Sequence, residues 1–181
     1  MELQKIVENM SFIRDSFEEV SLKSFDLKRI GELAFKYYWD YNCEYGLITA
    51  FNEEAGLNLD YQQVRAFTPL LPHRWSRVCG AITGAFWVFA LTLEPSEFKT
   101  AAQGLIEFHN KTPLPVFRAP KTPKLPKAPA LSILCRDSIV NWCKATGVHP
   151  RSMERSYRCA AITADVAVKC GQIVRELSPV V

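Results

Sequence analysis

Residues 78–93 read VCGAITGAFWVFALTL, with no charged side chain among them. Sixteen residues fall short of the ~20 that cross a bilayer, so no membrane insertion is expected. A helix that is apolar on every side must be enclosed by protein, and the fold is therefore expected to be built round this segment. Gly80 and Gly84 stand one helical turn apart. That spacing lets a second helix, or a cofactor, come close to the backbone.

Helical signals continue on both sides. Leu3, Ile6, Val7, Met10, Ile13, Phe17 and Val20 recur at steps of three and four, the stripe of an amphipathic helix. Asp26 can cap a second helix with Leu27, Ile30, Leu33, Ala34, Tyr37 and Tyr41 on its inner face. Asn42 can cap a third from Cys43 to a stop at Gly56, unless the second helix runs straight through. A short helix spans Tyr61 to Phe67, and Pro69 and Pro72 enforce an extended loop after it. Pro95 starts a helix to about His109, Ser132 caps one through Ala145 that stops at Gly147, and Ser152 caps a long last helix closed by Pro179.

Between Lys111 and Ala130, six prolines alternate with Lys111, Arg118, Lys121, Lys124 and Lys127. Such a segment is neither regular helix nor central strand, and a solvated, extended connector is expected. No strand pair stands out elsewhere. The expectation is an all-α fold: one compact multi-helix domain over residues 1–181, with a Pro-rich connector at 111–130.

A net charge of +3 from 22 basic and 19 acidic side chains lacks the concentrated basic excess of a nucleic-acid binder. The first twenty residues scatter Glu2, Lys5, Glu8, Arg14 and Asp15 among their apolar positions, unlike the continuous core of a secretory signal. A cytoplasmic location is expected, where the six cysteines would stay reduced rather than form a disulfide framework.

No two cysteines form C-x-x-C, which leaves no support for a zinc ribbon, a thioredoxin-type dithiol or a clustered ferredoxin motif. C-x-x-C-H is absent too, so covalent haem is not expected. Any joint role requires the fold to gather cysteines from separate helices, and each taken singly reads equally well as a small buried hydrophobe. Cys43 follows a potential cap, and Cys79 and Cys135 fall in or near first helical turns. There the dipole and free amides favour thiolate. Arg155 and Arg158 stand within reach of Cys159 and are expected as solvated neighbours. Cys159 and Cys170 share the stripe of the last helix with Ile162, Val166, Ile173 and Leu177.

CGAITGA, Cys79 to Ala85, resembles the CGAxxG core of the C_GCAxxG_C_C family of redox-active proteins. Asn42-Cys43 resembles that family's NC start. LSILCRDSIVNWCKATG and ERSYRCAAITADVAVK resemble its third and fourth cysteine segments, especially in the branch containing the split-Soret cytochromes. The resemblance covers Asn42 to Leu177 and implies that Cys43, Cys79, Cys135 and Cys159 are the four family cysteines. It departs at Leu70 to Arg77, where the family usually has a glycine-rich loop.

The resulting expectation is a redox protein that binds an iron-sulfur cluster through Cys43, Cys79, Cys135 and Cys159 and transfers electrons. Cys143, about 80° round the helix from Cys135, is a possible supplement or replacement. Phe86, Trp87, Phe89 and Trp142 are expected to keep the local dielectric low. Two readings compete with it: a metal-free thiol-disulfide protein, and a helical interaction module with structural cysteines. A homodimer is expected from the family analogy and the amphipathic N-terminal stripe. His73, beside Arg74 and Trp75, is expected as a surface histidine, and His109 and His149 as cations at helix ends. G-x-S-x-G, P-loop, Rossmann and H-E-x-x-H motifs are all absent.

Overall fold

The computed structural model describes residues 20, 22–67 and 78–178. The N-terminal stripe, the Pro69–Pro72 loop with His73, and Pro179 lie outside the described residues. Among the described residues seven helices follow one another: α1 (Leu27–Tyr38), α2 (Cys43–Ala55), α3 (Tyr61–Phe67), α4 (Gly80–Thr92), α5 (Pro95–Lys111), α6 (Cys135–Thr146) and α7 (Met153–Leu177). Among the described residues the only β pairings are two isolated bridges, Val78 with Leu134 and Leu114 with Ala128. The fold is all-α.

Local chemistry fixes most of the helix ends. The Asp26 side chain accepts from Arg29 N at 2.8 Å, and Asn42 accepts from Tyr45 N at 2.9 Å, so α1 and α2 are separate helices. Tyr41 thereby falls between helices and is 43% exposed, outside the inner face expected for it. Gly56 at φ 72° ends α2, and Gly147 at φ 74° ends α6, in the left-handed conformation that glycine adopts without strain. Ser152 accepts from Arg155 N at 3.3 Å and opens α7.

Ser132 does not cap α6. Cys79 N donates to Ile133 O at 2.7 Å, and Val78 bridges Leu134, which holds residues 133–134 extended and delays the helix to Cys135. Ser132 Oγ instead accepts from Leu134 N at 3.1 Å, a turn before the helix.

Helix α4 occupies the centre: every residue from Gly80 to Ala90 is buried. Helices α2, α5 and α7 pack against it, and α1 packs on α2 and α7. Fully buried Leu33, Leu47, Ile48, Phe51, Ile82 and Phe89 contribute roughly 1.5–3 kcal/mol each. Phe86 and Phe89 meet the ring of Phe98 edge-on at 5.6 and 6.1 Å. Where α1 and α2 meet, a β-carbon on Gly46 would lie 2.6 Å from Tyr38 N, so this crossing requires glycine.

Beyond Lys111, the last residue of α5, the connector contains no helix, yet it is pinned rather than solvated. Leu114 and Ala130 are buried. Asp165 of α7 accepts from Val116 N at 2.7 Å and Phe117 N at 2.8 Å. Trp142 Nε1 donates to Pro126 O at 3.0 Å, and Asn141 Nδ2 to Ala130 O at 2.9 Å. Proline-rich backbone still offers carbonyls and the occasional amide, and α6 and α7 use both.

Candidate metal centre

Three of the four family-matching cysteines stand at helix starts. Cys43 is the first residue of α2, Cys135 the first of α6, and Cys79 the cap of α4. A β-carbon on Gly80 would meet Cys43 Cβ at 3.1 Å and Glu44 N at 3.2 Å, and one on Gly84 would meet Glu44 O at 3.0 Å. The two glycines therefore let α4 press directly on the first turn of α2, which is the helix-packing use of this spacing. The Val78–Leu134 bridge draws the start of α6 to the start of α4, and Cys135 with it. Cys159 comes from the second turn of α7. One turn on, Thr163 donates to Cys159 O at 2.9 Å and is hydrogen-bonded to the Cys43 thiol.

Cys43 lies in the field of the other three thiols, and Cys135 in that of Cys79 and Cys159. Burial pushes the Cys43 thiol well above its usual range, and Cys79, Cys159 and Cys135 push it further. Burial, then Cys79 and Cys159, pushes Cys135 up to about 12. Burial also raises Cys79, although the amides of Ala81 and Ile82 hydrogen-bond its sulfur and oppose the rise. Helix-start amides are thus present at Cys79, but desolvation outweighs them there, and it raises the thiols of Cys43, Cys79 and Cys135 alike. Among the described residues, no group of three or more His, Cys, Asp or Glu side chains is arranged to hold a single metal ion.

The remaining two cysteines have different surroundings. Cys143, in the last turn and a half of α6, is half-buried and feels Arg158 and Arg155 more than it feels Cys159. Cys170 is fully buried, with Ala85 O at 3.9 Å beside its sulfur. Burial alone raises its thiol.

Several polar groups around the thiols were not foreseen as buried. Arg155 hydrogen-bonds Cys159. Arg158 is not solvated: only 2% of it is exposed, its Nη2 donates to Ser138 O at 3.2 Å and Ser138 Oγ at 2.8 Å, and its guanidinium lies 5.6 Å from the Trp142 ring centre. The signal was available, because Arg158 precedes buried Ala161 and Ile162 by the helical steps of three and four. His109 is no helix-end cation either. It is fully buried, and burial lowers its pKa to about 4, with Nδ1 3.0 Å from Asn110 Oδ1. His149 matches its expected place in part: it is exposed at a turn, where its Nδ1 accepts from Arg151 N at 3.2 Å. Glu44, fully buried next to Cys43, and Tyr38, whose hydroxyl burial and the charges of Cys159 and Cys43 push upward, complete the surroundings.

The class is thus an all-α protein in which helix starts carrying Cys43, Cys79 and Cys135 come together beside the N-terminal half of α7 with Cys159. The chain belongs to the C_GCAxxG_C_C family, described as "Putative redox-active protein (C_GCAxxG_C_C)", whose profile matches residues 41–173. It is 29% identical over 166 residues to the split-Soret cytochrome c of Desulfovibrio desulfuricans, across 82% of this chain and 58% of that protein. The chain thus spans little more than half the length of that relative. The solved structure of the Desulfovibrio desulfuricans split-Soret cytochrome c, described as holding a novel iron centre, superposes with a TM-score of 0.74 and 26% identity, over 85% of this chain and 70% of that one. Among the described residues, no helix is long and apolar enough to cross a membrane.

Proposed function

We propose that this chain is an electron-transfer protein whose Cys43, Cys79, Cys135 and Cys159 bind an iron-sulfur cluster. One observation supports the reading: Cys43, at the start of α2, lies in the field of Cys79, Cys159 and Cys135 from three other helices, the four cysteines that the family resemblance implies. The iron centre of the related split-Soret cytochrome c supports it.

Donor chemistry favours a cluster over a lone ion. Four thiolates are the usual ligand set of iron-sulfur clusters. A cluster spreads its ligands over several irons, so it does not need three thiols round one point, an arrangement absent among the described residues. When bound, it supplies one-electron storage with no bond made or broken, taking an electron from a one-electron donor and giving it to a one-electron acceptor. The residues orient and shield: Ala81 and Ile82 amides hold the Cys79 sulfur, Thr163 holds Cys43, and Arg155 holds Cys159. Since the sequence lacks C-x-x-C-H, the proposed cofactor does not include covalent haem.

The metal-free dithiol reading is weaker, because exchange needs an accessible thiolate and burial keeps Cys43, Cys79 and Cys135 protonated. Iron and acid-labile sulfide per chain, measured after anaerobic purification, test the proposal. Stoichiometric iron and sulfide are expected, and their absence from the wild-type chain returns the dithiol reading to first place. The proposal extends to a homodimer joined through the N-terminal stripe. Removing residues 1–22 and measuring mass in solution tests this, and an unchanged dimer clears the stripe of that role.

A further inference from the structure

Arg158 is a buried charge with neutral company. Its side chain is fastened to the Ser138 carbonyl and hydroxyl and lies over Trp142, while its Nε has no hydrogen-bond partner. Among the described residues no carboxylate pairs with it. Asp165, two turns along α7, is committed to the amides of Val116 and Phe117. His109, on which the charge of Arg158 acts, is buried with Nε2 unpartnered.

A guanidinium cannot shed its charge as a buried lysine can, and burial of an unpaired charge is disfavoured unless something opposite completes it. Of the groups on which the charge of Arg158 is seen to act, those that can become negative are thiols. Cys159 is the next residue, and the field of Arg158 falls on Cys79, Cys135 and Cys143.

We propose that Arg158 is a positioning residue for the cofactor: its buried guanidinium is the built-in counter-charge of the four metal-bound thiolates. The inference rests on the iron-sulfur reading. Four thiolates leave a bound cluster with net negative charge, and one-electron reduction adds another. A fixed cation beside them therefore stabilises the loaded state over the empty one, and the reduced state over the oxidised one. Fastening by Ser138 and Trp142 keeps that charge in place in both redox states.

The test uses full-length protein purified without air: wild type, Arg158→Met and Arg158→Lys. Iron and sulfide content, midpoint potential by spectroelectrochemistry, iron loss to a chelator, and thermal unfolding of loaded and stripped protein are the readouts. Arg158→Met is expected to move the potential negative and to release iron roughly 10- to 100-fold more readily, with Arg158→Lys recovering part of both. Thermal unfolding should change sign with loading. The methionine variant is less stable than wild type when loaded, and at least as stable when stripped, because an uncompensated charge has gone. Arg158→Gln, which keeps a donor for Ser138 without the charge, must also lower the potential and stands in if the methionine variant does not fold. An unshifted potential in a fully loaded, uncharged variant overturns the counter-charge and leaves the iron-sulfur reading standing. A wild-type chain without iron and sulfide overturns that reading itself.

Discussion

Helix α7 carries two cysteines on one apolar stripe, and its two ends use them differently. At the N-terminal end, Cys159 meets a hydrogen bond from Arg155, a neighbouring buried Arg158, and the thiols of Cys43 and Cys135 from two other helices. At the C-terminal end, Cys170 sits among buried Val166, Ala167, Ile173 and Val174, and no other charge acts on it. Periodicity assigns both to the inside with equal force. What separates them is which helix starts are delivered to each end, and that is decided by α4 pressing on α2 and by the Val78–Leu134 bridge.

The largest expected effect tests that division directly. Serine at Cys43, Cys79, Cys135 or Cys159 is expected to abolish or convert the cluster, read as iron and sulfide per chain and as the visible spectrum. Cys170→Ser is expected to keep both and to cost about 1–3 kcal/mol in denaturant unfolding, for a hydroxyl placed among apolar side chains. Cys143→Ser is expected to keep the iron, because this thiol stands toward the arginines and the surface. Full occupancy in all four family-cysteine variants would erase the distinction between the two ends.

Next in size is a pair of opposed pH dependences on the polar side of the comparison. His109 is held neutral by burial, its pKa lowered to about 4 against an ordinary value near 6.5. The unfolded chain therefore binds more protons between these values, and stability from His109 is lost as pH falls through that window. Asp165 behaves oppositely. Burial raises its carboxyl to about 6 against the hydrogen bonds of Val116 and Phe117, so the folded chain binds more protons, and stability falls as pH rises from about 4 to about 6. Each shift corresponds to something on the order of 3 kcal/mol, and in wild type the two nearly cancel. In Asp165→Asn, unfolding midpoints are expected to fall on acidification from pH 6.5 to 4. In His109→Gln they are expected to rise. The asparagine variant also starts lower, by about 1–3 kcal/mol, since an amide offers one oxygen to two backbone donors. Parallel slopes in the two variants would contradict the burial assigned to these groups.

A smaller contrast concerns glycine. A β-carbon at Gly46, on the helix that carries Cys43, would lie 2.6 Å from the backbone of Tyr38; one at Gly171, beside Cys170, would lie 2.6 Å from the mobile end of the Leu27 side chain. Backbone cannot step aside as a leucine methyl can. Gly46→Ala is expected to cost roughly 1–3 kcal/mol and Gly171→Ala clearly less, with denaturation midpoints as the measure. Equal costs would mean that the two ends of the core yield equally.

Legibility from sequence followed the range of the interaction. Asp26, Asn42 and Ser152 act within three residues, Gly56 and Gly147 within their own turns, and the uncharged run at 78–93 needs no partner to declare itself buried; all were readable. Ser132 was misread because the extended pairing of Ile133 and Leu134 is with Val78 and Cys79, more than fifty residues earlier. Thiol ionisation was misread for the same kind of reason: the helix dipole is local, whereas desolvation depends on every helix that closes over the site. Arg158 and His109 carry polar names into apolar places, and only the buried steps around them on their own helices betray it.

The smallest expected effect belongs to the connector, which joins the two ends of the comparison without supplying a thiol. Replacing Lys121, Lys124 and Lys127 by serine is expected to leave iron and sulfide content unchanged. All three side chains are exposed, and the fasteners of the segment are backbone amides and carbonyls accepted or donated by Asp165, Trp142 and Asn141, which serine does not disturb. The variant is still not silent. Lys127 is the cation whose field lowers the Asp165 carboxyl, so its loss moves that carboxyl further up and deepens the decline of stability with rising pH. An exposed lysine acts through water, which limits the change to a few tenths of a kcal/mol, at the low end of what surface charges contribute, and salt should suppress it. Unfolding midpoints of the triple variant at pH 5 and 7, at low and high salt, measure this. Loss of iron in that variant would instead make the strap part of the metal site, and the thiol end of α7 would then extend across the connector.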